Sequence, residues 1–333
     1  MAAPFFSVVI NNHNYGRFLR QAVDSVLGQD FASGDVEVIV VDDGSTDDSR
    51  AILASYGDRV RVCLQARQGQ AQALNRGFAE ARGEIVCLLD SDDVWRPEKL
   101  SAVAGRFDDP AVGLVEHWLQ DTDAALAPLP QYFPAWPTRY GLDDFLDGRA
   151  EFGATSGLCL RRKLIGRLGA IPAELVIDAD AFLMEGALFF AEIANMARLL
   201  GAHRIHGGNW CAGHLADRRK LDMDLRMNEI LAAELERRLA VSRRSLTPRC
   251  RLNREMETWR RRILQAALEA RPAQAWKLWR EKAGSFKGSG LGRFRLASVL
   301  LAVLSPSLYL WVYGIYSRSR GLREMRKTFF FEA

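Results

Sequence analysis

Apolar and polar positions alternate along the N-terminal third of the chain in a way that lays out a series of short elements. Ser7-Val8-Val9-Ile10 reads as a buried strand, followed by the polar turn Asn11-Asn12-His13-Asn14-Tyr15-Gly16. From about Arg17 to Leu27, Phe18, Ala22, Val26 and Leu27 recur at helical spacing. Val36-Glu37-Val38-Ile39-Val40-Val41 is a second strand and ends in Asp42-Asp43-Gly44-Ser45-Thr46-Asp47. Ser45, Thr46 or Asp47 can cap the helix expected near Asp48 to Ser55. A strand from Arg59 to Gln65, a helix from Ala71 to Ala81 and a strand from Ile85 to Leu89 complete the series. This alternation predicts an α/β fold, a parallel sheet with helices on both faces. In such sheets ligands bind beyond the carboxyl ends of the strands, and the polar clusters just named lie there.

The fourth strand runs straight into acid, as Leu88-Leu89-Asp90-Ser91-Asp92-Asp93. In extended chain, residues i and i+2 point the same way, so Asp90 and Asp92 can face one point while Asp93 turns aside. Hard carboxylate oxygens suit Mg²⁺ or Mn²⁺, ions that usually also hold substrate phosphates. A DxD by itself reads as a polar cap after a strand. Its place among the other polar strand ends makes it a candidate metal and phosphate site.

Three segments in order, SVVINNHNYGRFLRQAVDSVLGQ, VEVIVVDDGSTDDS and GQAQALNRGFAEARGEIVCLLDSDDVW, resemble the nucleotide-sugar domain of family 2 glycosyltransferases. The resemblance covers about residues 5–215. It implies the GT-A fold, a Rossmann-like, mixed and mainly parallel sheet. It also implies transfer of a sugar from a nucleotide diphosphate donor, a UDP-sugar first of all, with inversion at the anomeric carbon. By the same resemblance the turn Asn11, Asn12, His13 and Asn14 contacts base and ribose, with His13 in place of the family's usual tyrosine. Asp42 and Asp43 receive the base, Asp43 nearer a uracil edge, where a carboxylate can accept from the ring N–H. Gln70, Gln72 and Asn75 fall in the segment that lines the donor pocket. Asp92 becomes the direct metal ligand, and Asp90 contacts ribose or a metal-bound water.

The reaction so implied needs a base, because the acceptor hydroxyl loses its proton as it attacks. Val176 to Met184 contains the candidates Asp178 and Asp180, and the apolar run after them is expected to continue as a long helix to about Leu200. The resemblance selects Asp180 as the base and leaves Asp178 as the better N-cap. The plainer reading, in which both only cap the helix, stays open, and Glu185 lies inside the helix. His206, in Arg204-Ile205-His206, matches a family histidine that helps bind the diphosphate or the metal; the alternative is a partly buried structural histidine. His203 and His214 are expected to be plain. Thr155-Ser156-Gly157 lies where family acceptors bind. Trp95 and Trp210 are either sugar-stacking rings or core.

Composition bounds the rest. The 333 residues suffice for one large domain and a smaller element. Residues 1–200 hold 18 Lys/Arg and 29 Asp/Glu, a net of −11, and residues 201–333 hold 27 and 12, a net of +15, which together give the overall +4. The split predicts a boundary near 216, between a nucleotide-sugar domain at 1–216 and a basic helical C-terminal extension at 217–333. Basic helices with Trp259, Trp276 and Trp279 suit nucleic acid or an anionic membrane. The end of the chain favours the membrane and argues against nucleic acid. Residues 296–316 form an apolar stretch flanked by arginines, long enough to span a bilayer. Ser305-Pro306-Ser307 at its middle breaks a helix, so two short helices dipping into one leaflet fit better than a span. A buried soluble hairpin is the third possibility.

The Pro-rich loop Pro128–Pro137, with Trp136, is a candidate cover for the acceptor cleft. Cys63, Cys87, Cys159, Cys211 and Cys250 form no CxxC pair and suggest a reducing compartment. The N-terminus lacks the regions of a signal peptide. The active site is thus expected to face the cytoplasm, at the inner face of the plasma membrane where the apolar tail docks. The expected function is an inverting, metal-dependent glycosyltransferase acting on a growing surface glycan or lipid-linked sugar. Two rivals remain: a nucleotidyltransferase acting on sugar phosphates, for which Asn11 to Arg17 is a poor phosphate loop, and a catalytically inactive nucleotide-sugar-binding module.

Overall fold

The structure is a computed structural model that describes residues 5–131, 133, 137–209, 217–284 and 290–318. It divides into two compact units, and each is described by itself. The first comprises Met1–Leu129, Pro134–Ile205 and Ile230–Leu246; the second takes Pro130–Phe133, His206–Glu229 and Thr247–Ala333.

The first unit opens with β1 (Phe6–Asn12), α1 (Gly16–Leu27), β2 (Val36–Asp43), α2 (Ser49–Ala54), β3 (Arg61–Gln65), α3 (Gln70–Glu80) and β4 (Ile85–Asp90). These follow the expected order, except that the third strand starts two residues late, after a single 3₁₀ turn at Gly57–Arg59. β5 (Val94–Trp95), α4 (Lys99–Ala104), β6 (Val112–Thr122), β7 (Arg139–Tyr140), α5 (Leu142–Leu146), β8 (Cys159–Arg161), α6 (Arg162–Leu168), α7 (Ala179–Ala187) and β9 (Glu192–Arg204) follow. The strands form one sheet in the order β3-β2-β1-β4-β8-β6-β9-β5, with β7 on β9. β3, β2, β1 and β4 run parallel, as do β6 and β9. β8 is antiparallel between β4 and β6, so the sheet is mixed, in keeping with a GT-A fold.

Both faces of the parallel half are covered. Val8, Ile10, Val38, Val40, Cys87 and Leu89 share a buried cluster with Leu19, Ala22, Val23 and Val26 of α1. On the opposite face α3 presses onto β1 so closely that a Cβ on Gly77 would lie 2.3 Å from Val9 Cγ1. Fully buried strands read as continuous apolar runs for this reason: neither face meets water.

One element differs from its expectation. The long apolar helix to Leu200 is instead the short helix α7 followed by strand β9, which pairs with β6 along most of its length. A buried strand and a buried helix both give unbroken apolar runs, and periodicity cannot separate them. Here Ile193, Ala194, Met196 and Leu200 are buried as strand residues inside the sheet.

The second unit is helical. α8 (Arg218–Ser242) begins in it and has its last turns, from Ile230, grouped with the first unit. α9 (Pro248–Leu268), α10 (Pro272–Ala283), α11 (Gly290–Leu304) and α12 (Pro306–Arg318) follow. α9 starts on Thr247, whose hydroxyl accepts from the Cys250 N–H, with Pro248 in the first turn, where its missing N–H costs nothing. Met256, Trp259, Ile263, Ala275, Leu296, Val299 and Val303 form the unit's main core. The apolar stretch 296–316 is two helices broken at Ser305–Pro306, and among the described residues no helix is long and apolar enough to cross a membrane. Cys63, Cys87, Cys159 and Cys250 are buried free thiols. Trp136, Trp210, Cys211 and His214 lie outside the described residues.

Candidate active site

The parallel strands deliver their polar ends to one edge. In the sheet register Asn11 of β1 sits opposite Asp90 of β4, and Asn12 opposite Asp42 of β2. Asn12 Nδ2 donates to Asp42 Oδ1 at 2.9 Å and to Ser45 Oγ at 3.1 Å. Asp42 Oδ2 accepts from the Ser45 N–H at 3.2 Å and from Arg50 Nε at 3.3 Å. His13 Nδ1 lies 2.7 Å from the Asp43 carbonyl oxygen, an acceptor only, so the proton belongs on Nδ1. Nε2 is then the acceptor for Asn14 Nδ2 at 3.2 Å. Asn14 is left-handed (φ 58°), and its Oδ1 accepts from the Thr46 N–H. The first turn is therefore locked onto the second.

Asp43 turns the other way. Its Oδ1 accepts from Gln65 Nε2 (2.8 Å) and the Gln68 N–H (2.7 Å), and its Oδ2 from the Gly69 N–H (2.7 Å). This carboxylate shapes the loop that launches α3, where Gly69 takes a φ of 90°. Gln70, in the first turn of α3, reaches Asp90 Oδ1 at 3.2 Å. Asn75 does not join this group: both ends of its amide clamp the backbone of Ile171, Nδ2 to its carbonyl at 2.8 Å and Oδ1 from its N–H at 2.9 Å.

Three carboxylates crowd the end of β4. Asp93 closes the turn by donating its N–H to the Asp90 carbonyl at 3.0 Å. Burial first, then the charges of Asp92 and Asp93, push Asp90 up to about 8, with Asn11 opposing as a hydrogen-bond donor and Asp180 adding to the rise. Burial also lifts Asp93 to about 7, against the nearby charge of His203 and with that of Asp92. Crowded carboxyls that resist ionising beside one another, all hard oxygen donors, fit a divalent cation. Among the described residues no group of three or more His, Cys, Asp or Glu side chains makes a ready cation cage.

A single 3₁₀ turn, Thr155–Gly157, joins the acidic edge to the candidate base. The Ser156 hydroxyl donates to Asp93 Oδ2 at 2.6 Å and accepts from the Asp90 N–H at 3.0 Å. The adjacent Thr155 hydroxyl donates to Asp180 Oδ2 at 3.2 Å. The turn passes so close to β6 that a Cβ on Gly157 would sit 2.8 Å from the His117 carbonyl oxygen. Burial raises the Asp180 carboxyl, against hydrogen bonds from the Ala181 N–H (2.8 Å) and Thr155. Asp178 holds the N-cap position of α7 but in a left-handed conformation (φ 60°), and it makes no side-chain cap bond. The expectation that it caps the helix is corrected: N-caps take extended backbone, and this left-handed residue makes no side-chain cap bond to the first turn.

Other residues of the site carried little sequence signal. Tyr15 is half-buried, and its hydroxyl is held above its ordinary range by burial and then by the charges of Asp92 and Asp90. His203, expected to be plain, pairs with Asp121 at 2.9 Å. Burial alone would lower its pKa, but Asp121 and the charge of Asp93 raise it to about 9, placing a cation behind the acidic turn. Arg204 donates its backbone N–H to Asp93 Oδ1 at 2.8 Å, and its guanidinium reaches Gln21 Oε1 at 2.7 Å while stacking on Phe18. Trp95 is core, not a sugar platform: it is 5% exposed, donates Nε1 to the Ser156 carbonyl at 2.8 Å, and carries Lys99 Nζ 3.4 Å above its ring. His206 belongs to the second unit, where its Nδ1 accepts from the Gly208 N–H at 3.0 Å and its own N–H donates to Asn209.

Comparison with known proteins agrees with this geometry. Residues 7–168 match the profile of glycosyl transferase family 2. An uncharacterized glycosyltransferase of Nostoc sp. is 37% identical over 215 residues, which is 61% of this chain and 65% of the Nostoc protein. Two Rickettsia glycosyltransferases align over only 30% of their own length, so the chain spans less than two thirds of these relatives. Among solved structures, the Pyrobaculum calidifontis mannosyltransferase PcManGT, in complex with GDP-Man and Mn²⁺, superposes with a TM-score of 0.54 at 18% identity, over 95% of this chain and 88% of its own. S. aureus TarS 1–349, in complex with UDP-GlcNAc, gives 0.53 at 17% identity, over 82% and 88%. At these identities the structures speak for the fold, which is GT-A. Residues 7–168 of the chain therefore carry a domain of the glycosyl transferase family 2 type.

Proposed function

We propose that this protein transfers a sugar from a nucleoside diphosphate donor to a hydroxyl group, with inversion and with the help of Mg²⁺ or Mn²⁺. The observation that carries the reading is the Thr155–Ser156 turn, whose two consecutive hydroxyls tie Asp180 to the Asp90–Asp93 edge. A donor-binding edge and a proton acceptor are thereby held by one rigid element. The nucleotide complexes of the structural neighbours, with UDP-GlcNAc and with GDP-Man and Mn²⁺, support the donor class.

In this reading the loop Asn11–His13, with Asp42, receives the nucleoside, and Gln70 and Asp90 border the ribose and diphosphate. Asp92, with Asp90 beside it, would hold the divalent cation, which supplies charge neutralisation for the departing diphosphate. Asp180 accepts the proton of the acceptor hydroxyl as its oxygen bonds to the anomeric carbon and the bond to the diphosphate breaks on the opposite face. The raised pKa of Asp180 makes it a stronger proton acceptor than an exposed carboxylate. Asp43 holds the loop that launches α3, and Asn75 clamps the Ile171 backbone away from the donor. The acceptor proposed is a glycan or lipid-linked sugar of surface polysaccharide assembly, handled beside a membrane. The basic helical unit supports that setting.

The test is product stereochemistry. Incubation with UDP- and GDP-sugars and Mn²⁺, followed by ¹H NMR of the sugar released to water or acceptor, should show nucleoside diphosphate release with a β-configured product from an α-linked donor. Retained configuration, or inorganic pyrophosphate as the product, would contradict the reading.

A further inference from the structure

α12 has two apolar faces where a helix on a water-soluble surface has one. Its inner face is packed: Tyr309 is 4% exposed in a cluster with Leu221, Leu264 and Ala302, and its hydroxyl meets Arg260 Nη1 at 3.0 Å. Tyr313 lies on the same side, under the Arg260 guanidinium. The helix is thus held in a fixed rotation. Its outer face carries Leu308, Trp311, Val312 and Ile315, which follow i, i+3, i+4 and i+7 spacing and form one stripe. They are 45%, 64%, 42% and 45% exposed, and Leu304, at the end of α11, adds a fifth at 64%. The other large exposed apolar side chains among the described residues, Leu27, Leu64, Val241 and Leu252, are scattered over four separate elements or loops. Single exposed apolar residues are ordinary; a contiguous stripe with a tryptophan marks a contact surface.

The charge of the sequence that borders the stripe says what would cover it. Between Glu281 and Glu324 the sequence has no acidic residue, and it carries Lys282, Lys287, Arg293, Arg295, Arg318, Arg320 and Arg323. A second copy of this chain would bring the same excess of positive charge to the contact. For nucleic-acid bases only Trp311 could act as a stacking platform, and the four aliphatic side chains beside it could not. An anionic lipid surface complements both features: acyl chains suit the aliphatic stripe, Trp311 suits the headgroup boundary, and the basic sequence on either side of the stripe suits anionic headgroups. The geometry is that of a helix lying in the interface. α12 has 13 residues, about 20 Å at 1.5 Å per residue, against the ~30 Å of a bilayer's hydrocarbon core.

We propose that Leu304 and the α12 stripe Leu308, Trp311, Val312 and Ile315 form a docking surface for an anionic lipid bilayer, with α12 parallel to the membrane plane. This deepens the membrane setting proposed above and is independent of the donor chemistry, because it is read without any nucleotide.

The full chain is sedimented with vesicles of phosphatidylcholine alone and of phosphatidylcholine with phosphatidylglycerol, at low and high salt. Binding is expected only to the anionic vesicles at low salt, weakening as salt rises. The double substitution L308Q/W311S should weaken it about tenfold or more. V241S, which alters an exposed apolar residue outside the stripe, should bind like wild type. Thermal melts check that the variants fold; if the double variant does not, V312S and I315S are measured singly in its place. Absence of wild-type binding to anionic vesicles, or stripe variants that bind as tightly as wild type, overturns the proposal. So does a wild-type dimer in light scattering that becomes monomeric in the stripe variants, which would assign the face to a second copy.

Discussion

Ser156 makes two hydrogen bonds with one hydroxyl, one buried and one part-buried, and its removal tests the link between the acidic edge and the base. The residue is fully buried. In Ser156→Ala, Asp93 loses one of two donors, keeping the Arg204 N–H, and the Asp90 N–H is left with no acceptor. The lost bond to a carboxylate is worth about 1–3 kcal/mol, and a stranded buried N–H costs about 1–3 kcal/mol. Both act through one atom and do not add fully, so about 3 kcal/mol is the expected loss of stability. For a domain of this size that lowers Tm by about 6–12 °C. The turn Asp90–Asp93 also loses its anchor, and metal-dependent affinity for a nucleoside diphosphate should fall about tenfold, or about 1.4 kcal/mol. Differential scanning calorimetry gives the first quantity and isothermal titration the second. A Tm within about 1 °C of wild type, or a large drop in Tm with nucleotide affinity unchanged, would refute the role assigned to this turn.

Three further outcomes follow from the same geometry. Asp180→Asn keeps the Thr155 contact but cannot accept a proton, so donor binding should persist while the turnover rate falls by about 10²-fold or more; full turnover would remove Asp180 from the base role. Asn75→Ala removes both bonds to the Ile171 backbone and should destabilise the fold by about 2 kcal/mol in urea denaturation with the KM for donor unchanged; a raised donor KM without loss of stability would return Asn75 to the pocket. Glu116, fully buried on β6, accepts from the Gly153 N–H at 2.8 Å, and burial holds its carboxyl up at about 8 against that bond. A raised carboxyl pKa means the folded state keeps a proton that the unfolded state loses, so its stabilising contribution is full below about 4.5 and is lost as pH rises toward 8. Glu116→Gln should therefore gain on wild type by up to about 1.4 kcal/mol per pH unit across that window; parallel stability curves would show that Glu116 is ionised in the fold.

The parallel half of the sheet was legible in the sequence because its cues are local. Val8 to Ile10, Val38 to Val41 and Ile85 to Leu89 are short apolar runs, each leading into Asn or Asp, and the first two are followed by a helical period. The carboxyl-end rule then placed Asn11, Asn12, Asp42, Asp90 and Asp92 on one edge. The second half was harder, since Ala181 to Leu200 is mostly apolar, broken only by Glu185, Glu192, Asn195 and Arg198, and gives no period to separate helix from strand. Only the pairing of β9 with β6, some eighty residues earlier, decides it. The direction of a carboxylate was likewise beyond local pattern. Asp42 and Asp43 are adjacent, and the alternation of a strand sends one toward the Asn12 turn and the other toward the Gly69 loop. His203 gave no signal, because its charge comes from Asp121, a partner 82 residues away. Thr155 and Ser156 stood out only as a segment where the resembling family binds acceptors, and their partners were set by the fold.

The most direct test of the central claim is calorimetric titration of the wild-type protein with UDP, GDP, dTDP and CDP, each with Mn²⁺ and with EDTA, beside Asp92→Ala. The account predicts metal-dependent binding of one nucleoside diphosphate in preference to the others, abolished by EDTA and by the substitution while the variant stays folded. Binding of none of the four to folded wild type, or binding indifferent to Mn²⁺ and to Asp92, would contradict it.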